Sequence, residues 1–153
     1  MDKYYSTQSA NGIVMLTNQR KQEIGQHLAL HLSFVPGPLG SDGSVDGVIT
    51  DAQQNLLAHF QSKLSSNPVG LDEAKILHSD LLRLKPKMCV YVAGVGYDDS
   101  FLRLIRGQPE LSTVDIHLIT LTDVLFQSDA YLKMLAKVPA HSGGSVNFAR
   151  FRV

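Results

Sequence analysis

The stretch Met88-Cys89-Val90-Tyr91-Val92-Ala93-Gly94-Val95 carries no charged side chain. A strand that is apolar on both faces must be covered on both. Sheets that meet this need are parallel, with helices above and below. The flanking segments agree. Over residues 71–84 the apolar positions Leu71, Ala74, Leu77, Leu81 and Leu84 recur at three and four, which predicts an amphipathic helix. Residues 98–105 predict a short helix that starts at Asp98-Asp99-Ser100 and is ended by Gly107 and Pro109. Residues 114–120 predict another strand.

Before this unit, Thr17 caps a predicted helix with Ile24, Leu28 and Leu32 on one face and Glu23, His27 and Leu30 beside it. Pro36-Gly37-Pro38 stops it, because proline lacks the donor and constrains its predecessor. A turn-rich stretch at 40–44 leads to strands at 45–51 and 56–63, joined by the loop 52–55. Ser65-Ser66-Asn67-Pro68 breaks the pattern, and Thr122 caps a last helix to about Lys137. The predicted order is α-β-β-α-β-α-β-α, an α/β fold with a mixed sheet flanked by helices. One domain is expected over 13–138, with tails at 1–12 and 139–153. In the second tail, 139–145 reads as a linker and 146–153 as a late strand or docking segment.

At 153 residues and 44% hydrophobic, the chain can bury a core. Its one cysteine, Cys89, excludes an internal disulfide and a cysteine-built zinc site. No apolar run approaches the roughly 18 residues of a membrane span, and the start shows no apolar leader. A soluble cytoplasmic protein without a membrane partner is expected. Fourteen Lys and Arg balance fourteen Asp and Glu. That argues against an all-over nucleic-acid binder but leaves room for a local basic groove.

The chemistry gathers on the hairpin. If Asp51 pairs with Leu56, paired residue numbers sum to 107, and Asp46 stands opposite Gln61. His59, Gln61 and Lys63 share one strand face. A carboxylate, an amide oxygen and an ammonium on one patch can hold a magnesium ion and a phosphate. The commonplace alternative is a solvated hairpin face. Val45, Val48, Ile49, Leu57 and Phe60 favour a pair buried on both sides, where Asp and Lys persist only when paired or bound to something.

Several ordered motifs carry a resemblance: Gly43-Ser44-Val45-Asp46-Gly47-Val48-Ile49, Phe60-Gln61-Ser62-Lys63, Val69-Gly70, and Val90-Tyr91-Val92-Ala93-Gly94-Val95-Gly96-Tyr97. In this order, with Ile116 to Leu125 following, the chain resembles the catalytic domain of Mrr-type restriction endonucleases. These belong to the PD-(D/E)XK nuclease superfamily, and the likeness spans roughly 17–137. It implies a restriction-endonuclease-like core and a DNA endonuclease that uses magnesium or manganese to hydrolyse phosphodiesters in restriction or defence. By the same resemblance Asp46 matches the metal-binding aspartate, Gln61 the variable Glu, Asp or Gln position, and Lys63 the catalytic lysine. The Ser62 carbonyl is a further implied ligand, and Glu23 matches the first-helix acid that many members add. The partners implied are DNA and a second copy of the chain or a larger defence complex. The chain departs from the pattern in three ways. Gln61 removes one charge, His78 stands where such members often carry Gln, and no separate DNA-recognition domain is read. Two alternatives stay open: a degenerate module of the same fold that binds nucleic acid or protein, and a nuclease like the Holliday-junction resolvases.

Arg83, Lys85 and Lys87, then Arg103 and Arg106, form local basic clusters that could contact DNA phosphates, and Arg150 and Arg152 lie in the tail. Solvated surface explains each cluster equally well. His27 and His31 share a helix face but lack the zinc-protease glutamate. His59 and His117 read as buried or structural, and Cys89 as a small core residue. Gly94-Val95-Gly96 lacks the third glycine of a dinucleotide fingerprint.

Overall fold

A computed structural model describes residues 2–37 and 46–151 of the chain. The Gly43-Ser44-Val45 start of the first motif, the 40–44 turn and Arg152 lie outside the described residues. The elements are α1 (Lys3–Val14), α2 (Asn18–His31), β1 (Val35–Pro36), β2 (Gly47–Thr50), β3 (Leu56–Lys63), α3 (Leu71–Leu84), β4 (Met88–Ala93), α4 (Asp99–Arg106), β5 (Asp115–Thr120), α5 (Leu121–Phe126) and α6 (Asp129–Leu135). The sheet has five strands in the order β1-β2-β3-β4-β5. β1, β2 and β3 pair antiparallel, and β3, β4 and β5 pair parallel. The mixed α/β sheet flanked by helices is thus as the sequence predicts.

All six residues of β4 are buried, as its uninterrupted apolar run requires. Its Cys89, Tyr91 and Ala93 pack against Ala74, Leu77 and Leu81 of α3 and Phe101 and Ile105 of α4. Its Met88, Val90 and Val92 face the opposite layer, built from α1, α2, α5 and α6. Both parallel crossovers therefore run over one face of the sheet, and both chain ends supply the other. Among the described residues no helix is long and apolar enough to cross a membrane.

Three differences from the sequence reading have local causes. Residues 3–14 form a helix instead of a tail. Asp2 caps it, accepting from the Tyr5 N–H at 3.0 Å. Its buried stripe is Ser6, Ala10 and Val14, a four-residue spacing of small side chains that shows little hydrophobic contrast. The predicted helix from Thr122 is instead two helices. Thr120 and Asp123 cap one another at the start of α5, Gln127 adopts a left-handed φ of 57°, and Ser128 caps α6. Residues 139–145, a linker by sequence, instead pack on the hairpin. Residues 146–151 dock there, as one of the two readings has it, and form a helical turn at Phe148–Phe151, not a strand. The Thr50 N–H donates to His141 Nδ1 at 3.2 Å, and Phe151 is buried against Val48.

His59 is fully buried. Its Nδ1 lies 3.6 Å from Cys89 Sγ, and its Nε2 has no hydrogen-bond partner among the described residues. Burial holds its pKa down to about 4. The unfolded chain takes up a proton below about 6.5, whereas the folded chain does so only near 4. Between those values the unfolded state binds more protons, so stability falls as pH drops through that window. The full shift corresponds to about 3 kcal/mol. Urea unfolding at pH 7 and pH 4.5 should show this loss. His59→Leu should remove most of it, and an unchanged acid slope in that variant would assign the loss to other groups.

Candidate active site

The hairpin register follows the sum of 107 at Gly47↔Phe60, Val48↔His59 and Ile49↔Ala58, and shifts by one at Thr50↔Leu56. The bulge sits beside the loop, so Gly47 to Ile49 keep the predicted register, while the predicted Asp46–Gln61 pair is not part of the ladder. Asp46 is a bend immediately before β2, with its N–H and its carbonyl turned to opposite neighbours. Its N–H donates to the Phe60 carbonyl at 3.0 Å, and its own carbonyl accepts from the Gly37 N–H at 2.7 Å.

The Asp46 side chain does not simply stand over Gln61. Its Oδ2 accepts from the Ser62 N–H at 2.7 Å and the Ser62 hydroxyl at 3.2 Å. The carboxylate thus replaces the next rung of the ladder. α2 closes over the same spot, because Gly25 lets its backbone approach; a Cβ there would come within 3.0 Å of Ser62 Oγ. Burial pushes the Asp46 pKa up to about 6, against the opposing pull of the Ser62 N–H, the Ser62 hydroxyl and the Lys63 charge. Oδ1 receives no hydrogen bond from a described residue.

Ladder parity locates the other groups. The Phe60 carbonyl and Ser62 N–H address β2, while the Lys63 carbonyl accepts from the Gly94 N–H on the β4 side. Within a strand the N–H and C=O of one residue point the same way, so the Ser62 carbonyl also turns toward Asp46. Gln61 is half-buried, and its Oε1 is buried with no hydrogen-bond partner among the described residues. Such an orphaned acceptor calls for a missing donor or cation. Lys63 is exposed and forms no ion pair with a described residue. One carboxylate, one unpartnered amide oxygen and one backbone carbonyl are hard oxygen donors suited to magnesium or manganese. The donor set fits such an ion but carries a single firm charge. Among the described residues no three His, Cys, Asp or Glu side chains converge as a metal cage.

Glu23 does not join this group. It pairs with Arg20 at 3.2 Å, and at 3.6 residues per turn it lies about 160° round α2 from Gly25. The acid nearer the site is Glu73, in the first turn of α3. Its Oε2 accepts from the Gly70 N–H at 3.3 Å, and its charge acts on Tyr91 together with that of Asp46. Tyr91 pairs in register with Gln61. Neither Glu73 nor Tyr91 is close to Asp46 in sequence, and only the β3-α3-β4 crossover brings them there.

The basic clusters stand elsewhere. The Lys87 N–H bonds to the Leu57 carbonyl, six positions before Lys63, a span of about 20 Å along the strand. Arg83 and Lys85 end α3 beside it, and Arg83 holds the buried Asp80 at 3.1 Å. Arg103 and Arg106 lie in the last turn of α4, which runs back toward the same end. The cations nearer Asp46 are Lys63 and Lys21, whose Nζ donates to the Val14 carbonyl at 3.3 Å where α1 packs over Gly94. A groove of about 490 Å³ beside β5, lined by Arg106, Pro109, Ile116 and Leu118 among others, contains none of the hairpin residues.

Three of the remaining histidines have local partners. His31 meets the Tyr131 hydroxyl at 3.2 Å, His78 meets Glu110 at 2.9 Å, and His117 meets Asp115 at 2.9 Å. Gly94 serves packing: a Cβ there would come within 2.5 Å of the Ser65 carbonyl and 2.6 Å of Val14.

The buried Oε1 makes residue 61 a direct probe of the site. Gln61→Glu is nearly isosteric and adds a full charge to the ligand set, and affinity for hard cations rises with ligand charge. Titration calorimetry should show tighter magnesium binding by about tenfold. Equal affinity in the two proteins would separate residue 61 from the ion. No family model matches this chain, and no curated protein matches it.

Proposed function

We propose that this chain is a metal-dependent endonuclease that hydrolyses DNA phosphodiester bonds. The observation that carries this reading is the group at the end of β2 and β3. There, among the described residues, a half-buried carboxylate, an amide oxygen without a hydrogen-bond partner and a strand carbonyl stand beside an exposed lysine without a counter-ion. Burial raises the Asp46 carboxyl despite its Ser62 hydrogen bonds, and an orphaned buried oxygen is costly; such expense concentrates at functional sites.

Asp46, Gln61 and the Ser62 carbonyl would hold magnesium or manganese, which supplies charge stabilisation of the phosphate and a bound water of lowered pKa. Ser62 fixes the Asp46 carboxylate through two hydrogen bonds, leaving Oδ1 for the ion. Lys63 reaches from the next position to orient the attacking water or offset charge that develops on the phosphate. Gln61 adds an oxygen without adding charge, so the substrate phosphate contributes to ion affinity. The reading carries a DNA partner, a cytoplasmic location and a role in restriction or defence, as a second copy or in a larger complex.

A second reading is a degenerate binding module of the same fold. The distance of about 20 Å between the basic clusters and Asp46 favours it, since a DNA held at those clusters need not reach the acid. Incubation of plasmid, single-stranded and four-way-junction DNA with magnesium, manganese or chelator tests both. Metal-dependent nicking supports the enzyme, and preference for the junction would make it resolvase-like. DNA binding without cleavage in either metal supports the module.

A further inference from the structure

We propose that Tyr91 is a substrate-binding residue of this site, its phenol donating a hydrogen bond to a non-bridging oxygen of the DNA phosphate. This rests on the phosphodiester reading above. Tyr91 lies beside Gln61 across the β3–β4 ladder, on the face turned to α3. Only 3% of the residue is exposed. Its ring is held edge-on by Tyr97 at 5.9 Å and Phe101 at 5.6 Å, and the Tyr97 hydroxyl clamps the Tyr91 carbonyl at 2.9 Å. A ring fixed on this many sides presents its hydroxyl in one place and loses little entropy when it binds.

That hydroxyl makes no hydrogen bond with any described residue, and it is not among the fully buried unpaired atoms, so the little exposure Tyr91 has leaves it open to a ligand. Burial first, then the charges of Glu73 and Asp46, hold the phenol above its ordinary range. Tyr91 pairs with Gln61 in register, and Glu73 stands in the first turn of α3, the helix that packs over the same face. Carboxylates repel a phosphate, so a neutral donor among them has a distinct use. It contributes a hydrogen bond to the anion without adding a charge that would compete with the metal. Hydrogen bonds to charged groups are the stronger ones.

The test compares wild type with Tyr91→Phe, which removes one oxygen and keeps the ring. Binding of a short labelled DNA duplex is followed by anisotropy with calcium in place of magnesium, and cleavage is measured with magnesium. Loss of one hydrogen bond to a charged group should weaken binding about tenfold or more. Cleavage should fall by at least as much, with an unchanged unfolding midpoint. A Tyr91→Phe protein that binds and cuts as wild type does would overturn the role of Tyr91 and leave the nuclease standing. A wild-type protein that neither binds nor cuts DNA would overturn both. If Tyr91→Phe does not fold, the ring ¹³Cζ resonance of Tyr91 in the wild-type protein decides. A shift on adding duplex supports contact, and a resonance that stays in place rejects it.

Discussion

Asparagine at position 46 is expected to lower metal-dependent cleavage by about 10³-fold or more, with the protein as stable as wild type or slightly more so. The rate follows from the ligand set. Asp46 is its one firm carboxylate, and losing charge stabilisation worth several kcal/mol is a loss of three or more decades. The stability follows from burial. Asparagine keeps an oxygen for the Ser62 N–H and hydroxyl, which now bond Oδ2 at 2.7 and 3.2 Å. It also removes the charge whose burial raises the carboxyl pKa to about 6. A carboxyl raised in the folded state destabilises it once ionised, so relief is felt above that pKa and vanishes in acid. Two units would be about 3 kcal/mol, and discounting for solvent at a half-buried group leaves about 1 kcal/mol at pH 7. Activity assays and urea titration on the same protein separate the outcomes. An unfolded or strongly destabilised Asp46→Asn would make Asp46 a structural anchor of the β2–β3 end. A folded variant with full cleavage would remove it from the chemistry.

How much of this site the sequence displays depends on whether proximity is local. The ends of β3 and α3 are readable to the residue, because the hairpin alternates cleanly and α3 has a regular apolar stripe. A register summing to 107 brings Asp46 to the Gln61-Ser62-Lys63 end, even though the bulge at Ile49/Thr50 displaces the loop end by one. The hydrogen bond from Asp46 to Ser62 is not readable, since register places backbones and leaves rotamers open. Glu73 and Tyr91 are hidden for a different reason. They reach Gln61 through a parallel crossover, and residue spacing along the chain gives no measure of that distance. The basic clusters illustrate the same geometry. A 14-residue helix is about 21 Å long, so residues at its end return to the opposite end of the strands from Lys63. α1 escapes because its buried stripe is Ser6, Ala10 and Val14, while Tyr4 and Tyr5 face outward at 68% and 62% exposure. Hydrophobic periodicity finds helices that bury large side chains and overlooks those that pack by small ones.

Alanine at Lys63 should cost about 10²–10⁴-fold in rate, the range of a positioned proton-transfer or charge-stabilising group, and should leave folding untouched. Lys63 is exposed and has no ion pair with a described residue, so its side chain holds nothing else together. Substitutions at such positions usually change stability by less than about 0.5 kcal/mol. Its charge does reach Asp46, whose pKa it lowers. Removing it should therefore let the Asp46 carboxyl rise further, weakening the site's hold on a cation at mildly acidic pH. Two effects are then expected together: a fall in the limiting rate at saturating magnesium, and a magnesium requirement that grows as pH drops toward 6. Arginine is not an equivalent replacement, because its planar fork cannot place a single donor as an ammonium does and it does not give up a proton. Lys63→Arg should thus keep DNA affinity while recovering little of the rate. Single-turnover cleavage at several magnesium concentrations separates the limiting rate from ion affinity. If Lys63→Ala lost only DNA affinity, with its limiting rate intact, the lysine would be a phosphate anchor and the water would be activated without it.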